Sequence, residues 1–210
     1  MDRYDAIVLA GGRSERMGRD KTTLRVGGAR LLDRALGAVR DAQRIVVVGP
    51  KRRIAAPPRG ELIWTTERPR FAGPAAAIAR GIRTLDGEGR LSPGANAGEF
   101  PDRADVVVVL AVDHPFAAAA VPRLIEALAP GVDAAMLTDS DGRRQPLLAA
   151  YRRSALRAAV ADGDWLNRSV RALVADLRVV EVSGREGEIL DCDTPEALHE
   201  ARRIDRRSGG

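Results

Sequence analysis

Apolar positions along the chain fall into short continuous runs that alternate with stripes at helical spacing. Asp5 to Ala10 is an apolar run that ends in Gly11-Gly12, the pattern of a buried strand feeding a tight loop. Leu31 to Val39 carries apolar residues at helical spacing, Arg44 to Val48 is β-branched enough for a second strand, and Glu61 to Thr65 reads as a third. Ala75 to Leu85 predicts an alanine-rich helix after Gly73-Pro74, and Ala104 to Val112 is the clearest buried strand. Beyond it the pattern predicts a helix over Val121 to Leu128, strands over Asp133 to Leu137 and Pro146 to Tyr151, and helices over Ser154 to Ala161 and Ser169 to Ala175. A late strand, Val179 to Val182, and a closing helix, Pro195 to Ile204, complete the series. Such alternation predicts an α/β fold of three layers, a mostly parallel sheet with helices on both faces. Residues 87–102, rich in Gly, Pro and Asn, read as a surface loop. With no repeat and no linker in sight, residues 1–205 are expected to form a single domain and residues 206–210 a flexible tail.

Composition narrows the function. No apolar stretch approaches the ~18 residues that cross a bilayer, so no membrane span is expected. The first residues lack the apolar core of a signal peptide, and the cytoplasm is the expected setting. A single cysteine, Cys192, excludes an intramolecular disulfide and a cysteine-cluster zinc site. The net charge of +5 invites a nucleic-acid reading, yet the arginines are scattered among 29 acidic residues and aromatics are only 3%. Nucleic acid is therefore not the expected partner; an anionic small molecule suits the same balance. Of 34 basic residues only Lys21 and Lys51 are lysines. A lysine retained in so arginine-rich a chain points to work that a compact ammonium does and a guanidinium cannot.

Lys21 closes the most informative stretch, Leu9-Ala10-Gly11-Gly12-Arg13-Ser14-Glu15-Arg16-Met17-Gly18-Arg19-Asp20-Lys21. Glycines after a first strand let backbone N–H groups approach phosphate oxygens. The spacing is wrong for a P-loop, because Arg19-Asp20 intervene before Lys21-Thr22, and Gly11-Gly12 does not begin a dinucleotide fingerprint. The segment resembles instead the L-A-G-G-x-S-x-R-M-G-x-D-K motif of the molybdenum cofactor guanylyltransferases and their nucleotidyltransferase relatives, with every specified position filled. Gly73-Pro74 with Glu67, Val112-Asp113-His114-Pro115-Phe116, Gln145-Pro146-Leu147 and Asp191-Cys192-Asp193-Thr194-Pro195-Glu196 resemble further blocks of that family. Glu67 stands where the family often has Asp, and Gly49 where it often has Asn, which removes one side-chain contact to a base.

The resemblance implies a Rossmann-like nucleotidyltransferase fold and transfer of GMP from GTP to the phosphate of molybdopterin, with release of pyrophosphate. Alternative readings are CMP transfer to the same acceptor, transfer to another phosphorylated acceptor, and a non-catalytic nucleotide-binding paralogue. The double glycine favours guanine over cytosine, and intact Lys21 and Asp113 speak against the paralogue. An attacking phosphate oxygen needs no general base; the work is to align two anions and neutralise charge at phosphorus. The implied nucleotide-binding residues are Leu9, Ala10, Gly11, Gly12, Lys21, Glu67, Gly73 and Asp113, with Lys21, Arg16 and Asp113 catalytic. Asp113 and Asp193 are the expected ligands of Mg2+, a cation that takes one or two carboxylates plus phosphate oxygens and water. Gln145, Arg168 and Ser169 are assigned to the acceptor, and a monomer is expected. Each carboxylate also has a plainer reading: Asp113 and Asp193 as helix N-caps, Glu67 as a solvated loop charge. Cys192, between two aspartates, reads as structural.

Overall fold

Strand β1 (Tyr4–Leu9) alternates its side chains between two interiors: Tyr4, Ala6 and Val8 enter one core, Ile7 and Leu9 the other. This is the signature of a central strand covered on both faces. The computed structural model describes residues 3–11, 20–88, 104–161 and 163–208. After β1 come a short hairpin of β2 (Arg25–Val26) and β3 (Ala29–Arg30), helix α1 (Leu31–Ala38), β4 (Arg44–Val48) and β5 (Glu61–Thr65). Helix α2 (Pro74–Leu85) leads to β6 (Val106–Ala111), α3 (Ala120–Glu126), β7 (Ala134–Thr138) and β8 (Arg144–Arg152). The chain ends with α4 (Arg153–Ala161), α5 (Val170–Leu173), β9 (Val179–Ser183) and α6 (Pro195–Ser208).

Seven strands form one sheet in the order β5-β4-β1-β6-β8-β7-β9. All neighbours are parallel except at β8, which runs antiparallel to both β6 and β7. Helices α1, α3 and α6 cover one face, and α2, α4 and α5 the other. The three-layer α/β expectation therefore holds. Gly81 lets α2 lie close on β1, since a Cβ there would stand 2.6 Å from the Ile7 side chain.

The two edges of the sheet differ in chemistry. At the amino edge, Asp5 is fully buried and is held by Arg44 at 2.6 Å and by Arg153. Arg153 also donates to Ala104 O at 2.7 Å and to Asp86 at 3.1 Å. At the carboxyl edge, the segments after β1, β4, β5 and β6 converge, where an α/β sheet usually carries its site.

Two expectations need correction. The hairpin of β2 and β3 escaped the sequence reading because two-residue strands have no measurable period. Helix α6 runs on to Ser208, so Arg206 and Arg207 are helical rather than a frayed tail; Arg34 pairs with Asp205 and Arg202 donates to Arg25 O, tying the last turns down. Of the 87–102 loop, only Gly87 and Glu88 fall within the described residues.

Candidate active site

Asp20 sets the position of Lys21. Its carboxylate accepts from Thr22 N at 3.0 Å and Thr22 Oγ1 at 2.6 Å, capping a 3-10 turn over Lys21–Thr23, and Arg52 braces it at 2.7 Å. Burial acts to raise the Asp20 pKa, but hydrogen bonds from Thr22 and Arg52 outweigh it and hold the carboxyl below its ordinary range. Neither Asp20 nor Arg52 was assigned a role from the sequence. The Asp-x-Thr spacing is the signal that reveals such a cap.

From that turn the Lys21 ammonium donates to Asp113 Oδ2 at 3.0 Å and to Asp193 Oδ1. Asp113 lies just past β6, where Val112 N bonds to Leu9 O at 3.0 Å and Asp113 O accepts from Cys192 N at 3.0 Å. That last bond brings the 191–193 segment alongside the end of β6. For Lys21, burial lowers the pKa, but the facing charge of Asp113 and the bonds to both carboxylates win and the net shift is upward. For Asp113, burial raises the pKa, yet the charges of His114 and Lys21 pull it below the usual value. Asp191 is pushed up, by burial first and then by Asp193 and Asp113. The Cys192 thiol, fully buried, is pushed up to about 12 by burial and by Asp113 and Asp191, which suits packing and not nucleophilic chemistry.

The plainer readings of the two aspartates do not fit. Thr194, not Asp193, caps α6: its Oγ1 accepts from Ala197 N at 3.2 Å. Asp113 caps nothing, because the helical turns after it begin at Phe116 and Ala119 without side-chain caps. Among the described residues Asp113 Oδ1 is instead buried with no hydrogen-bond partner, as is His114 Nδ1, and His114 Nε2 stands 3.9 Å from Asp113 Oδ1. A buried carboxylate oxygen left unbonded is costly unless something binds it.

The glycine loop meets the same edge. Ala10 N is spent on Val48 O and Leu9 O on Val112 N, so these two residues keep few backbone groups for a ligand. Glu67 is buried, with a carboxylate oxygen 3.4 Å from where a Gly11 side chain would begin. It is no solvated loop charge. Gly49 is required by close approach: a Cβ there would stand 2.7 Å from the Ala10 backbone, so no side chain reaches out from this position. Gly73 (φ 94°) opens α2, and Asn167 N bonds to Ala72 O at 2.7 Å, bringing the loop with Arg168 and Ser169 against it. Ser169 spends its hydroxyl as the N-cap of α5, accepting from Ala172 N at 3.2 Å. Arg168 is exposed on the same loop. Gln145 pairs with Leu137 at the start of β8, on the carboxyl edge, two strand positions from β1. Gly12 and Arg16 lie outside the described residues. Among the described residues no group of three or more His, Cys, Asp or Glu side chains forms a metal cage, so a cation here would lean on two carboxylates and its ligand.

Comparison with known proteins agrees with this geometry. A model of the MobA-like NTP transferase domain matches residues 6–182. A molybdenum cofactor guanylyltransferase of Xanthomonas euvesicatoria is 33% identical over 199 residues, covering 92% of this chain and 91% of the relative. Molybdopterin-guanine dinucleotide biosynthesis protein A of Archaeoglobus fulgidus superposes with a TM-score of 0.64 at 22% identity, covering 97% of this chain and 99% of that one. A Mycobacterium tuberculosis protein solved in complex with manganese shares the fold, with a TM-score of 0.62 at 17% identity over 96% of this chain and 98% of its own.

Proposed function

The chain belongs to the MobA-like NTP transferase family, and from that premise we propose that it transfers GMP from GTP to the phosphate of molybdopterin and releases pyrophosphate. The observation that carries the reading is a lysine ammonium shared by two carboxylates at the carboxyl end of the central strands. Lys21 supplies a compact cation for phosphate oxygens, and the Gly11 backbone lets the triphosphate come close. Asp113 and Asp193 fit a hard divalent cation: they are paired oxygen donors, and Asp113 Oδ1 is buried with no hydrogen-bond partner among the described residues. Mg2+ held there with the nucleotide supplies charge neutralisation at the α-phosphorus. The attacking group is already an anion, so the chain needs to align and neutralise rather than take a proton. Glu67 and Gly73 border the nucleotide beside Gly11, while Gln145 and Arg168 face the acceptor. Because Gly49 offers no side chain, the base is read by backbone groups at Gly11, where the lack of a side chain favours a purine. The chain acts in the cytoplasm as a monomer in this reading. Among the described residues no helix is long and apolar enough to cross a membrane.

Thermal-shift titration with GTP and CTP at matched Mg2+, followed by pyrophosphate release with molybdopterin, tests the assignment. GTP is expected to stabilise the protein more than CTP and only with Mg2+ present. Equal or stronger stabilisation by CTP overturns the choice of base, and absence of pyrophosphate release with either nucleotide overturns the reaction.

A further inference from the structure

Only two large apolar side chains among the described residues are exposed, Phe71 at 47% and Leu166 at 42%. Single exposed hydrophobes are ordinary, but two on adjoining loops mark a surface. Phe71 lies between β5 and α2, Leu166 between α4 and α5, and the loops are joined where Asn167 N donates to Ala72 O at 2.7 Å. A Cβ at Gly73 would stand 3.6 Å from Asn167 Cα, so the two backbones are in contact there.

The backbone turns both side chains outward. Phe71 (φ 62°) and Asn167 (φ 55°) are the only non-glycine residues with positive φ among the described residues. For an aromatic residue that conformation is strained, and such strain persists where the surroundings enforce it, often at binding sites. Here Ala72 is buried, and Trp165 packs on the core and donates to Val160 O at 3.3 Å. Each loop is thus anchored by the neighbour of its exposed residue.

Charge selects the partner. Arg68 and Arg70 are exposed beside Phe71, and neither forms an ion pair among the described residues; Arg70 lies over the Phe71 ring at 5.6 Å. Within residues 68–74 and 164–168 the one acid is Asp164, whose carboxylate accepts from Leu166 N at 3.1 Å. Aromatic and arginine side chains dominate protein hot spots, and a guanidinium pairs best with a carboxylate. A second copy of the chain on the same patch would set arginine against arginine. A single-stranded nucleic acid stacks on several aromatic rings, and this surface exposes one. We infer that the patch of Phe71, Leu166, Arg68 and Arg70 docks a second protein through an acidic segment that carries an apolar anchor. Gly73 opens α2 two residues from Phe71, so the partner would sit beside the nucleotide site, whatever base or acceptor that site takes.

The probe is a random dodecapeptide library displayed on phage, selected on the parent chain and counter-selected on the double variant Phe71→Asn, Leu166→Ser. Asparagine tolerates the left-handed backbone at position 71, so this variant is expected to keep the thermal midpoint and the Mg·GTP affinity of the parent. Peptides that depend on the patch are expected to combine Asp or Glu with Leu, Phe or Trp. Labelled and followed by fluorescence anisotropy, the best of them should bind the parent saturably and lose at least tenfold in the double variant. The same loss is expected in Arg68→Ser, Arg70→Ser, and none in Arg207→Ser on α6. No patch-dependent peptide, selected peptides that are basic or lack apolar residues, or an equal loss in Arg207→Ser overturns the inference. So does tighter binding of a single-stranded oligonucleotide or of phosphatidylserine vesicles at the same patch. A fall in Mg·GTP affinity in the double variant overturns it too, because the patch would then belong to the nucleotide site. Absence of pyrophosphate release by the parent counts only against guanylyl transfer.

Discussion

Replacing Lys21 by methionine keeps most of the side-chain length and removes the ammonium that two carboxylates share. In the ligand-free protein this leaves Asp113, largely buried, facing Asp193 with no cation between them. Loss of one partner from a fully buried pair costs about 3–5 kcal/mol. Asp193 keeps 38% of its side-chain surface in water, and that screening brings the expected loss down to about 1–3 kcal/mol. A divalent cation can take the vacated place, so the loss should shrink when Mg2+ replaces EDTA. Catalysis should fall further than stability, by about 10²–10³ in rate, the usual effect of removing one preorganised charge-stabilising donor. Urea denaturation in EDTA and in Mg2+, together with pyrophosphate release, measures all three effects. If Lys21→Met unfolds at the parent midpoint in EDTA, the ammonium does not offset the two carboxylates. Turnover within tenfold of the parent would refute its action on phosphate.

Asp113→Asn, which keeps shape and removes one charge, should abolish measurable turnover while circular dichroism stays native, and Asp193→Asn should be milder because an amide oxygen still coordinates a cation. Retained turnover in Asp113→Asn refutes the metal assignment. Arg153→Met should cost about 3 kcal/mol in urea denaturation, since Asp5 keeps Arg44 but Asp86 and Ala104 O lose a donor. Because the change lies at the opposite edge of the sheet, kcat measured on the folded fraction should not move. Asp133 has a pKa lowered to about 2, chiefly by hydrogen bonding from Arg178, so it contributes stability above its unfolded pKa of about 3.9 that is lost as pH falls towards 2. Urea denaturation at stepped pH should therefore show Asp133→Asn less stable than the parent at neutral pH, with the difference closing between about pH 4 and pH 2 as the parent loses the same contribution.

Much of the architecture was legible in the chain because the signals are local. Valine and isoleucine runs such as Arg44–Val48 and Val106–Ala111 specify strands buried on both faces, and Gly73-Pro74 marks a helix start within a few residues. The glycine loop and its lysine likewise identify phosphate chemistry, since a motif is a local arrangement of donors. Tertiary structure alone decided the rest. Strand β8 runs against its neighbours because a hairpin from β7 leaves it no other direction, and its apolar pattern reads the same either way. The cap reading of Asp193 fell because Thr194 takes the cap, a competition between two adjacent side chains that spacing cannot settle. Lys21 meets carboxylates 92 and 172 positions away, a meeting that no local pattern foretells. Such pairings follow from strand order and register, which are set by the packing of the whole sheet and its two helical layers, and so no short window of sequence contains them.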